Sequence, residues 1–146
     1  MMKRALLAAP LLLLPAASAL PIQPGKWQSV VTITDMQFPN APPGMAAAMR
    51  GHPTTVTTCV TAQQAADGPR SLLANSHGKC HFTSYSASGG RFDAVMQCTF
   101  ASSTMTQTSH GTFTATTMDV SNATVMTGRA GMSSKSHTAG RRVGGC

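Results

Sequence analysis

The sequence contains no glutamate, and its four acidic residues, Asp35, Asp67, Asp93 and Asp119, stand singly. General acid–base chemistry works best with two titratable groups whose environments drive their pKa values apart, and this spacing offers no pair. No serine sits in a Gly-x-Ser-x-Gly elbow, so that form of acyl-transfer nucleophile is missing too. The expectation is a protein that is not an enzyme. Cys-x-x-Cys is also absent, which excludes a thioredoxin-like redox pair and a covalent haem, and no cofactor motif of any kind is present. Tryptophan and tyrosine occur once each, and of the 11 Lys and Arg residues the nine beyond Lys3-Arg4 are scattered, with only Arg141 and Arg142 adjacent among them. Nucleic-acid binders concentrate cations on one face between aromatics, so no nucleic-acid partner is expected. Long apolar runs are lacking as well. The one near the start, Ala5 to Leu14, falls short of the roughly 20 residues that a membrane-spanning helix needs, so no membrane anchor is expected.

That short run has the form of a secretory signal. Lys3 and Arg4 precede it, Pro15 breaks it, and Ala17-Ser18-Ala19 supply the small residues of a cleavage site. Residues 1–19 are therefore read as a signal cleaved after Ala19, and residues 20–146 as a single disulfide-stapled β domain that is exported. The formal net charge of +7 is spread thinly, and two of its cations belong to the leader. All four cysteines lie beyond the leader, and an exported compartment is oxidising, so two disulfides follow.

Threonines alternating with apolar or small residues dominate what remains, a pattern of half-exposed strands. Trp27, Ser29, Val31 and Ile33 share one face of a first strand that Pro39 and Pro42-Pro43 end. Gly44 to Arg50 reads as a short helix whose Met45 and Met49 lay an apolar face on the sheet. A second strand runs from Pro53 to Val60. Thr61 to Gln64 has capping-box form, opening a second short helix that Gly68-Pro69 closes. A hairpin centred on Gly89 sets Cys80 opposite Cys98, Phe82 opposite Met96, Ser84 opposite Ala94 and Ser86 opposite Phe92, with Phe100 on the same buried side. Cys59 is then left to pair with Cys146. Three further runs, 100–109, 112–120 and 123–130, are separated by turn signals at His110-Gly111 and Ser121-Asn122, and a last strand spans 132–143. The fold class is mainly β: an antiparallel meander or partly closed β-barrel, with one or two short helices.

Gly25-x-Trp27, the proline-rich insertion, Cys59 after a β run, Cys80 and Cys98 flanking a hairpin, and the terminal Gly145-Cys146 carry a resemblance. The chain resembles the exported bacterial family catalogued as domain of unknown function 3617, over essentially residues 22–146. The resemblance implies a Gram-negative periplasmic location and a β-rich fold. It implies no activity and no functional residue.

Candidate sites are few. His77 and His81 flank Lys79-Cys80 and are weak metal candidates for copper or zinc, but a strand would hold them about 13 Å apart, and an oxidised Cys80 cannot ligate. His52, His110 and His137 read as turn or surface residues. Eight methionines beyond the leader, in different elements, read as core filling, or as part of a deformable lining for an apolar ligand. Trp27 reads as a core anchor. If a ligand site exists, Trp27, Met45, Met49, Phe82, Phe92 and Met96 are its candidate lining. The expected role is non-enzymatic binding of an apolar small molecule or an envelope protein. The alternatives are a periplasmic copper- or zinc-binding protein, and a structural or interaction protein with no ligand.

Overall fold

The computed structural model describes residues 22–73, 79–128 and 131–146. The expected signal and His77 lie outside these residues. Among them, seven strands and three short helices follow one another: β1 (Gly25–Gln37), α1 (Met45–Met49), β2 (Pro53–Val60), α2 (Ala62–Ala66), α3 (Pro69–Leu73), β3 (Cys80–Ser88), β4 (Arg91–Phe100), β5 (Ser103–Phe113), β6 (Thr117–Gly128) and β7 (Met132–Gly144).

All strands join one antiparallel sheet in the order β2-β1-β7-β6-β5-β4-β3, which does not close. Strands β3 to β7 form a meander, and β1 returns to pair with β7. The connection from β2 to β3 must therefore pass from one edge of the sheet to the other, and α2 and α3 make that passage. Thr61 caps α2 through a reciprocal capping box, in which its hydroxyl accepts from the Gln64 N–H and the Gln64 carboxamide accepts from the Thr61 N–H. Pro69, expected to close that helix, instead opens α3, where a missing N–H costs nothing.

The passage roofs the inner face of the sheet. Ala65 of α2 is buried with Ile22, Trp27, Val60, Phe92, Phe113, Met118 and Val120 in one core. Arg70 of α3 lies over Phe82 and Tyr85, its guanidinium 5.2 and 5.8 Å from the ring centroids. By contrast α1 joins adjacent strands, so it stays at one end of the sheet. Met45 and Met49 do not lie on the sheet as expected. They are 45% and 42% exposed, and α1 buries no residue.

Both disulfides form as read, Cys80–Cys98 and Cys59–Cys146, with Cα atoms 4.0 and 5.7 Å apart. The hairpin register needs one correction. Cys80–Cys98 and Phe82–Met96 pair as expected, but Thr83 is an extra residue at a bulge, so that Tyr85 faces Ala94 and Ala87 faces Phe92. The turn is accordingly the two-residue Gly89-Gly90, with φ of 58° and 74°, a left-handed pair suited to tight hairpins. On β4 the inward set Phe92, Ala94, Met96 and Cys98 is buried, whereas Phe100 is 38% exposed because it ends the strand beyond the core.

The expected turns at His110-Gly111 and Ser121-Asn122 are also corrected, since both lie within strands. Gly111 leaves room for an aromatic: a Cβ there would come within 2.6 Å of the Phe92 ring. The true β5–β6 turn is made by threonines. The Thr114 hydroxyl accepts from the Thr116 and Thr117 N–H groups, and the Thr114 N–H donates to the Thr117 carbonyl.

Candidate functional site

Strand alternation fixes which side chains meet on the inner face. One cross-strand row runs Ala94, Ser109, Asn122, Ser136, Ile33, and the next runs Met96, Gln107, Thr124, Ser134, Met36. The middle of an otherwise apolar face is thus polar. Ser109 is 2% exposed, the only buried polar residue among the described ones, and its hydroxyl donates to Asn122 Oδ1 at 2.7 Å. Gln107 Nε2 donates to Ser109 Oγ and Asn122 Oδ1 at 3.2 and 3.3 Å. This network satisfies one end of each amide. The other ends, the Gln107 Oε1 acceptor and the Asn122 Nδ2 donors, are the groups with which a bound molecule would bond.

A cleft of about 540 Å³ opens over this patch, a size in the range of small-molecule sites. Trp27, Val31, Val60, Met118 and Val120 give it apolar walls, and Gln107 and Asn122 give it a neutral polar floor. Ser29 and Thr138 add hydroxyls, Val56 and Thr58 come from the edge strand β2, and Gln64, Asp67 and Ser71 come from the α2–α3 passage. Among the described residues Asp67 is the one ionisable side chain of the lining, and it is exposed and caps the C-terminal end of α2. Trp27 itself is 1% exposed, with its indole N–H donating to the Gln23 carbonyl at 2.9 Å. It is therefore both a core anchor and part of the cleft wall.

Of the other candidate lining residues, Phe92 and Met96 are buried, at 1% and 6% exposure, and Phe82 is half-buried beneath Arg70. Met45 and Met49 lie on α1, outside the cleft. His81 points to the outer face, away from Cys80 and Phe82, and is exposed. Among the described residues no group of three or more His, Cys, Asp or Glu side chains could hold a metal ion. On the same outer face, His110 pairs with Asp93 and His137 with Asp119. Those histidines lie mid-strand rather than in turns, and the pairs are exposed and contribute little to stability.

The polar floor is not legible in the sequence, where Gln107 and Ser109 read only as part of the strand run 100–109 and Asn122 as part of a turn. Asn122 carries a turn signal by type, and only the β5–β6 register shows that its side chain faces Ser109 across the sheet. Among the described residues, no helix is long and apolar enough to cross a membrane. The two disulfides fit an oxidising, exported compartment.

No curated protein and no solved structure matches the chain. The model of one family, described as a protein of unknown function (DUF3617), matches residues 22–146, nearly the whole chain. On that match, and in agreement with the cysteine and glycine–tryptophan pattern of its sequence, the chain belongs to the DUF3617 family.

Proposed function

We propose that this chain is an exported, periplasmic, non-enzymatic binding protein that holds one small apolar molecule with a neutral hydrogen-bonding end. The observation that carries this reading is the composition of the cleft: apolar walls around Gln107 Oε1 and Asn122 Nδ2, which have no partner among the described residues, with no charge at its floor. An anionic ligand would be desolvated there without a counter-ion, which costs far more than the walls return, and the one carboxylate the described lining offers a cation, Asp67, is exposed to solvent rather than set at the floor. An alcohol, amide or carbonyl group would instead find both a donor and an acceptor. The non-enzymatic reading is supported by the placement of the carboxylate–imidazole pairs on the exposed outer face, where nothing excludes water from a reacting group.

Native mass spectrometry of the protein recovered from the periplasm tests the proposal. A population carrying one neutral organic mass, released when the chain is denatured, is the expected result. A bare chain mass that also fails to take up added dodecanol would refute it.

A further inference from the structure

The sheet assembles a row of sulfur that the sequence disperses. Met105 of β5 faces Met126 of β6 directly, and Met126 faces Met132 of β7. On the other side Met105 faces Cys98, which faces Cys80. Alternation puts all five on the inner face, in the row beyond Met96 and Met36. The Cys80 and Cys98 sulfurs are consumed by their disulfide, but the three methionine sulfurs are thioethers and remain donors. Met36 and Met96 are each 6% exposed, as core methionines are, whereas Met105, Met126 and Met132 are half-buried and open to a solvent-borne ion. None of these three lines the cleft.

We propose that Met105, Met126 and Met132 form a binding site for one soft monovalent cation, copper(I) in the cell, separate from the cleft. Directly opposed side chains in an antiparallel sheet have Cβ atoms about 5 Å apart. Met126 is the middle of the three, and each methionine turns about three bonds, which gives the two outer thioethers the reach to meet a shared ion above the central one. Thioether sulfur is a soft, uncharged donor that selects copper(I) over zinc, calcium or magnesium. In an oxidising compartment thiols are lost to disulfides, as all four cysteines are here, and methionine is the soft donor that persists in such a compartment.

The test is titration of the full exported protein, disulfides formed, with silver(I) as a redox-inert probe in chloride-free buffer, followed by copper(I) under a competing chelator. The expected result is one ion per chain. Binding should weaken at least tenfold in Met126→Leu and at least a hundredfold in the triple leucine variant of 105, 126 and 132, while His77→Ala/His81→Ala binds as the parent does. Leucine preserves volume, and thermal melting checks the fold of each variant. X-ray absorption of the copper-loaded parent keeps the proposal open to refutation even if the triple variant does not fold, with a first shell of sulfur alone expected. Absence of binding to the parent, undiminished binding by folded Met126→Leu, or a nitrogen-dominated shell would each overturn the site.

Discussion

Trp27 stands where the sheet, the N-terminal segment and the α2–α3 passage meet, and its indole N–H is spent on the Gln23 carbonyl. Replacing it with alanine removes the largest buried side chain and leaves a cavity, a loss of about 3–5 kcal/mol by comparison with other aromatic deletions. For a domain of this size that is a large part of the whole stability, so Trp27→Ala should melt far below the parent and accumulate poorly. Thermal unfolding followed by circular dichroism measures it, and an unchanged melting temperature would remove Trp27 from the core. Tyr85, the one tyrosine, permits a direct titration. Burial pushes its phenol above the ordinary 10.0, partly opposed by a backbone N–H of Arg70 and by that residue's charge. The native chain thus keeps a proton that the unfolded chain releases near pH 10, and stability falls as pH rises through the native value. Tyrosinate absorbance should rise at higher pH in the folded protein than in the denatured one. Tyr85→Phe should lose that part of the alkaline destabilisation.

Among the elements, the β3–β4 hairpin shows how far alternation can be read. Cys80, Phe82, Met96 and Cys98 share a face by their spacing alone, and this fixed the first disulfide. The bulge at Thr83 carries no such signal, because any residue can be the extra one and threonine suits either strand face. The β5–β6 turn was hidden for a related reason. Threonine is a strong strand former, so a turn built from threonine hydroxyls reads as strand, while Gly111 and Asn122, turn formers by type, serve packing and the polar floor. Gly111 can be tested on its own. A methyl group there meets the Phe92 ring and the Asp119 carbonyl, so Gly111→Ala should lower stability by about 1–3 kcal/mol through overpacking. Urea denaturation of the variant checks this, and a neutral outcome would return Gly111 to the role of a turn residue.

At the scale of the whole molecule, the two bridges hold different things. Cys80–Cys98 staples one hairpin, whereas Cys59–Cys146 reaches from β2 to the chain end beyond β7, across β1, and fixes a tail that would otherwise fray. The chain-entropy estimate gives about 3 kcal/mol for the short loop and over ~4 kcal/mol for the long one. Removing Cys59 and Cys146 together as serines should therefore destabilise the protein more than removing Cys80 and Cys98, as chemical denaturation of the two variants would show. The fold class, the bridges and the buried face of β4 were legible because each follows from local alternation or from cysteine chemistry. The cleft was not, because its polar floor exists only once the strands β5 and β6 are in register and the β2–β3 passage has crossed the face. That cleft is the central claim, and its most direct test is a fluorescence titration with N-phenyl-1-naphthylamine, a neutral apolar amine, reading Trp27 emission. Saturable one-to-one binding that quenches Trp27, and that Thr138→Phe abolishes by filling the cleft while the melting temperature holds, is predicted. Absence of saturable binding to the folded parent, or undiminished binding by Thr138→Phe, would contradict it.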